Sequence, residues 1–142
     1  MLTHSRTLVV QWGDCDPAGI VYFPRYFEWF DDSTAALFEA AGLPKAALLA
    51  RFQILGIPVV DVRSRFRKPS TFGDRVVIES GIPSWGTASF EVHHRLLRGG
   101  ELAVEASERR VWAVRTPEGT IRSRPLPPEV LALFSGSPPK TV

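Results

Sequence analysis

"GDCDPAGIVYFPRY", residues 13–26, decides how the chain is read, because two acids and a short proline-to-glycine turn run directly into an aromatic segment. Before it, Arg6 to Trp12 (Arg-Thr-Leu-Val-Val-Gln-Trp) is short and β-branched and is closed by Gly13, which predicts a strand. After it, Pro24 to Ala41 carries a helical pattern. Proline suits the first turn of a helix, and Gly42 followed by Pro44 ends this one. Residues 13–26 are therefore the turn that converts a strand into a long helix.

That helix is apolar over most of its circumference. At roughly 100° per residue, Arg25, Glu28, Asp32 and Glu39 fall within about 60° of one another, while Tyr26, Phe27, Phe30, Leu37, Phe38 and Ala41 fill the opposite side. One narrow stripe is expected to see water and the remainder to pack. Asp31 lies off the stripe, within roughly 40° of Phe27 and Phe38. It is expected to be partly buried or at a subunit boundary, where a carboxylate needs a partner.

Ala46 to Phe52 predicts a further short helical stretch. Strands are then predicted at Ile57 to Arg67, Asp74 to Ile82, Ala88 to Leu97 and Leu102 to Arg115, separated by Lys68-Pro69, Pro83-Ser84 and Gly99-Gly100. The last strand should end at the Thr116 to Gly119 turn. Gly99-Gly100 between two alternating runs predicts a tight hairpin. In the strand before it, Phe90, Val92, His94 and Leu96 share one face, and Glu91, His93 and Arg95 the other. Ser123 to Val142 holds prolines 125, 127, 128, 138 and 139 around Val130-Leu-Ala-Leu-Phe134, so residues 124–142 should be a short helix and a loose tail. One strand, one long helix and a four-strand meander make an α+β order, a sheet curled around a central helix, in a single domain over residues 1–142.

Composition bounds the function. The 142 residues suffice for a sizeable core, and 44% hydrophobic with 23% charged residues argues against disorder. Seventeen basic and 15 acidic residues leave a net charge of only +2 without a like-charge run, so neither nucleic acid nor an acidic membrane surface is an expected partner. Apolar runs are too short to span a bilayer, and no signal-type segment opens the chain. A single cysteine, Cys15, excludes an internal disulfide and a cysteine-built zinc site. The chain is expected in the cytoplasm as a soluble protein.

The chemistry of the turn is narrowed by elimination. Asp14, Asp16 and Gly19 imitate half of a calcium loop, but Ala18 and Arg25 stand where that loop needs oxygen ligands. No phosphate-binding loop accompanies the two acids to support a magnesium site. No serine occupies a nucleophile elbow; of the three histidines, His4 lies near a terminus expected to fray, and His93 and His94 point to opposite faces of one strand. Flanking acids disfavour a Cys15 thiolate. What remains is either a simple Asp-Pro-x-Gly turn or a carboxylate that attacks, or activates water toward, an acyl group, with amides from Val21 to Arg25 around the helix start as oxyanion donors.

Gly13-Asp14-Cys15-Asp16-Pro17-Ala18-Gly19-Ile20-Val21-Tyr22-Phe23-Pro24-Arg25-Tyr26, followed by Trp29 and Asp31, strongly resembles the 4-hydroxybenzoyl-CoA thioesterase family of hotdog-fold proteins. Gly56-Ile57-Pro58-Val59-Val60 and Arg67-Lys68-Pro69 with Gly73-Asp74 resemble that family's following strands more thinly. The resemblance implies a hotdog fold, a five-stranded antiparallel sheet wrapped around a long helix, assembled as dimers and dimers of dimers with active sites between subunits. It implies an acyl-CoA thioesterase that needs no cofactor or metal, the CoA thioester being its substrate. Asp16 would be the catalytic carboxylate and the backbone N–H of Phe23 the oxyanion donor; Asp14 would hold the loop. Gly19, Tyr22, Tyr26, Trp29, Asp31 and Ile57 would surround the substrate.

The chain departs from the family pattern in three places. Trp85 is followed by Gly86-Thr87-Ala88, without the basic cluster that meets CoA phosphates in the prototype; Arg63, Arg65, Arg67 and Lys68 are the substitutes on offer. Ile57 replaces a polar pocket residue. Phe23 stands where the related Tol-Pal-associated thioesterases usually carry histidine, which favours the aromatic-acyl branch. A short-chain aliphatic or dihydroxynaphthoyl-CoA thioesterase, and a non-catalytic acyl-CoA-binding protein, stay open as alternatives.

Overall fold

In a computed structural model describing residues 1–136, five strands form one antiparallel sheet. These are β1 (Thr3–Val9), β2 (Val59–Phe66), β3 (Arg75–Trp85), β4 (Ser89–Arg98) and β5 (Glu101–Val111), in the spatial order β1-β3-β4-β5-β2. The long helix α1 (Pro24–Ala40) packs on the inner face of the sheet, and α2 (Lys45–Phe52) follows it. This is the expected hotdog architecture. Its strands β1 and β2 are the free edges.

The helix is less enclosed than its sequence predicts. Its buried residues are Tyr26, Trp29, Phe30, Ser33, Thr34, Leu37 and Phe38, a stripe at three- and four-residue spacing, which is the narrow face a helix lays on a sheet. Asp31, Asp32, Ala35, Glu39 and Ala40 are exposed. Two apolar clusters fill the space beneath it. One joins Phe30 to Val10, Ile78, Leu96 and Val104; the other joins Leu37 and Phe38 to Phe90, Trp112, Val130 and Phe134. Each large side chain buried there is worth about 1.5–3 kcal/mol.

Strand alternation is obeyed on β4, where Phe90, Val92, His94 and Leu96 are buried. The Gly99-Gly100 hairpin forms as expected, with φ of +59° and +79° closing Arg98 against Glu101.

Four expectations change. The four later strands are not a simple meander, because β2 pairs with β5 at the far side of the sheet and leaves β3 to pair with β1. The first strand sits three residues earlier, at Thr3–Val9, so His4 is paired in the sheet opposite Ser80 rather than frayed. Pro83-Ser84 does not separate strands. β3 runs through it to Trp85, because the register shifts between Gly81 and Ser84 and an irregular pairing tolerates a residue without an N–H. The strand predicted to reach Arg115 breaks at Trp112, which is 1% exposed. Beyond it, β6 (Ala113–Arg115) pairs with β7 (Ile121–Ser123) around the Thr116 to Gly119 turn. The terminal helix α3 is Pro128–Leu133, and the expected tail from 137 onward lies outside the described residues.

Candidate active site

The turn between β1 and α1 is built from short-range hydrogen bonds. A 3-10 turn at Trp12–Asp14 opens it, where Oδ2 of Asp14 accepts the N–H of Gln11 at 2.8 Å. Cys15 and Val21 face each other as an antiparallel bridge, and between them Asp16 donates its N–H to the carbonyl of Ile20 at 2.9 Å. Gly19, at φ +80°, turns the chain back so that its N–H reaches the carbonyl of Asp16. That left-handed conformation is the reason a glycine is needed there. Ile20 and Val21 tie the loop to Thr71 and Ser70.

Asp16 is half-buried. Its Oδ1 accepts the N–H of Ala18 at 2.8 Å, and Oδ2 has no protein donor among the described residues. The geometry also selects among the amides at the helix start. The N–H of Val21 goes to Ser70, that of Tyr22 to Asp14 at 2.8 Å and that of Arg25 to Tyr22 at 2.9 Å; Pro24 has none. Among the described residues only the Phe23 N–H in this stretch lacks an acceptor. Phe23 is the residue that caps α1, where an uncommitted N–H favours negative charge.

Beside Phe23 lies a hollow of about 320 Å³, bordered by Ile20, Tyr26, Phe66, Arg67 and Lys68. Phe66 is its hub, with ring centroids 6.5 Å from Phe23, 5.5 Å from Tyr26 and 6.3 Å from Phe27. Tyr26 itself is a core residue, and burial raises its phenol above the ordinary 10.0 against the smaller opposing pull of Ser70. Trp29 is buried and borders neither this hollow nor the next. Tyr22 is exposed.

A second hollow, of about 210 Å³, is bordered by Asp31, Thr34, Phe38, Gly56, Ile57 and Arg110 among others. It brings Asp31 and Ile57 together, 26 positions apart in sequence. Asp31 has the partner its position calls for: Nη2 of Arg110 donates to its Oδ1 at 2.9 Å. The carboxylate is nevertheless 63% exposed in the single chain.

The four basic residues divide. Arg63 and Arg65 lie on the outer sheet face with His93 and Arg95, around a shallow groove. Arg67 and Lys68 border the hollow beside Phe23, with their charges turned to Glu105 and Glu101. Among the described residues, no cluster of three or more His, Cys, Asp or Glu could hold a metal ion, and no helix is long and apolar enough to cross a membrane.

Sequence reasoning leaves out Phe66, Glu108 and Arg110. The last two share the inward face of β5 with Val104 and Ala106, so the alternation of that strand carries the signal. Glu108 is 3% exposed, between His94 and Arg110. Burial pushes its carboxyl up, but hydrogen bonds and charge from His94 and Arg110 together outweigh burial and hold it below 4.5.

Residues 10–134 match the family model of the thioesterase-like superfamily. The chain is 35% identical over 133 residues to 4-hydroxybenzoyl-CoA thioesterase of Pseudomonas sp. (strain CBS-3), spanning 89% of this chain and 93% of that one. It is 30% identical over 97 residues to a 1,4-dihydroxy-2-naphthoyl-CoA hydrolase of Synechococcus sp. (strain WH7803), with 64% and 63% covered. Among solved structures, an Asp-to-Asn mutant of 4-hydroxybenzoyl CoA thioesterase complexed with 4-hydroxybenzoyl CoA superimposes with a TM-score of 0.89 at 30% identity, over 95% of this chain and 100% of that one.

Proposed function

This chain belongs to the thioesterase-like superfamily, and we propose that it hydrolyses the CoA thioester of an aromatic acid with Asp16 as its catalytic carboxylate. It is an acyl-CoA thioesterase. The observation that carries the role of Asp16 is the loop itself, which presents on one short turn a carboxylate oxygen without a donor and the Phe23 N–H without an acceptor among the described residues.

Two balanced routes use these groups. In one, Asp16 attacks the thioester carbonyl, the oxyanion is held by the Phe23 N–H, and loss of the CoA thiolate leaves an aspartyl anhydride that water cleaves. In the other, Asp16 takes a proton from water as that water attacks, and the thiolate leaves with a proton. Both give a free acid and CoA thiol. Transfer of oxygen from labelled water into Asp16 in a single turnover identifies the anhydride route, because general-base attack places the label only in the free acid.

The acyl group belongs in the hollow of Asp31 and Ile57, which offers an apolar wall and the carboxylates of Asp31 and Asp32. Aromatic acids are favoured because the named substrates of the two sequence relatives are both aromatic. Of the four basic candidates, Arg67 and Lys68 are better placed than Arg63 and Arg65 to meet the CoA phosphates, since they border the hollow beside Phe23. The working unit is a homo-oligomer. Edge strand β2 exposes Val59, Val60, Val62 and Phe66 alongside Asp61, Arg63 and Arg65, an unpaired strand edge that a second copy would cover. Its compartment is the cytoplasm, where acyl-CoA is at hand.

Free-thiol release from benzoyl-, 4-hydroxybenzoyl-, dihydroxynaphthoyl- and short aliphatic acyl-CoA tests the reading. Preference for the benzoyl esters supports it. Faster turnover of the naphthoyl or aliphatic esters transfers the assignment to that class, and binding of all four without thiol release leaves only an acyl-CoA-binding protein.

A further inference from the structure

The least expected feature of the core is a run of polar side chains that begins under the sheet and ends at the Asp31 hollow. Ser80 Oγ lies 2.7 Å from Nδ1 of His94, whose ring stacks on Phe30 at 4.9 Å. His94 Nε2 meets Oε1 of Glu108, with the Thr34 hydroxyl 3.2 Å from that nitrogen and 3.4 Å from that oxygen. The other oxygen of Glu108 accepts from Nε of Arg110 at 2.7 Å. Arg110 then donates from Nη1 to the carbonyl of Ile57 at 3.1 Å and from Nη2 to Asp31 at 2.9 Å. Ser80, Thr34, His94, Glu108 and Arg110 are each at most 5% exposed.

We infer that Arg110, clamped by the buried His94–Glu108 pair, is a positioning residue that fixes the Asp31 carboxylate at the acyl hollow. The inference rests on the reading that Asp31 faces the acyl group.

An ordinary exposed ion pair does not hold a carboxylate still, because water and side-chain entropy compete for both partners. This pair differs in its cation. Three nitrogens of Arg110 are committed, two of them to acceptors that cannot move away: a core carboxylate and a backbone carbonyl. Asp31 therefore meets a donor of fixed direction although most of its own surface is open. Stability alone does not require such a network, since apolar side chains of similar volume commonly serve as well as a buried ion pair. The output of the network is geometric. Arg110 joins the two elements that border the hollow, the helix carrying Asp31 and the segment carrying Ile57, and pre-setting that geometry is worth rate rather than stability.

The test is a double-mutant cycle on the full chain, with kcat and KM for 4-hydroxybenzoyl-CoA and melting temperature read for Asp31→Asn, Arg110→Lys and their combination. Arg110→Lys keeps the charge and loses the fork. The expected result is a drop of about tenfold or more in kcat/KM for each single variant, with the double variant no worse than the poorer single, because both act through one carboxylate. A purely structural role for Arg110 predicts losses that multiply and follow the melting temperature, and that result overturns the inference. Should Arg110→Lys fail to fold, Glu108→Gln, of the same shape, is combined with Asp31→Asn and read the same way. If Asp31→Asn alone leaves kcat/KM unchanged, the acyl-hollow reading falls and takes the inference with it. If Asp31→Asn is impaired but Arg110→Lys is not, the acyl-hollow reading stands and only the role of Arg110 is lost.

Discussion

Asp16 and Ala18 are joined by a 2.8 Å hydrogen bond from the Ala18 N–H to Oδ1, so one oxygen of this carboxylate shapes the turn while the other has no donor among the described residues. Shaping the turn and the chemistry proposed for Asp16 can be separated by substitution, because an amide oxygen still accepts that bond and an amide cannot act as nucleophile or base.

Asp16→Asn is therefore expected to fold with an unchanged melting temperature and to lose about 10²–10⁴-fold in turnover. Thiol release and thermal melting on the same sample check it. Undiminished thiol release would remove Asp16 from the chemistry.

Glu108 makes stability depend on pH in a defined window. Its carboxyl is held below 4.5 in the folded chain, so its ionised form stabilises the fold at any pH above about 4.5, and that contribution is lost as pH falls through the lowered value. Glu108→Gln should cost on the order of 3 kcal/mol at pH 7, because Arg110 then loses its buried counter-charge. Urea unfolding of both proteins from pH 7 to pH 3 should show this gap constant above about 4.5 and closing below it. A gap that persists to pH 3 would mean that the ionised state is not its source.

Gly100, at φ +79°, closes the β4–β5 hairpin in a conformation that L side chains adopt at a cost of about 1–2 kcal/mol. Gly100→Val should lower the urea midpoint by a matching amount and leave the denaturant slope unchanged. Gly99→Asn, with asparagine tolerant of φ near +59°, should be close to neutral.

The exposed edge of β2 is expected to carry the subunit contact. Val60→Glu places a charge on that edge and should shift the native mass toward the monomer, as charged edge residues block strand pairing. Light scattering at several concentrations reads the result. A mass unaffected by Val60→Glu would place the contact elsewhere.

Much of the fold is legible in the amino-acid sequence. The Gly99-Gly100 hairpin and the start of α1 at Pro24 rest on contacts within a few residues, and the inward side of His94 follows from the two-residue alternation of its strand, so local pattern reports all three. The run of β3 through Pro83 and the break at Trp112 are not legible there. A proline reads as a stop until the bulge that accommodates it is known, and Trp112 ends its strand by turning into a core assembled from distant residues such as Phe52, whose ring lies 5.3 Å away. The enclosure of α1 is overstated by its sequence for a related reason. Apolar periodicity counts what could be buried, while one curved sheet covers only one stripe of a helix.

By itself the sequence determined the α+β order, the resemblance to a thioesterase family and a tight turn whose acids bond nearby amides, Asp14 accepting from Gln11 and Asp16 from Ala18. Those contacts span at most a few positions, so chain chemistry decides them. Tertiary structure alone decided which amide at the helix start is left uncommitted, because Ser70 had first to claim Val21. It alone also brought Arg110 to Asp31, 79 positions apart, since their meeting exists only where the inner face of β5 closes on α1.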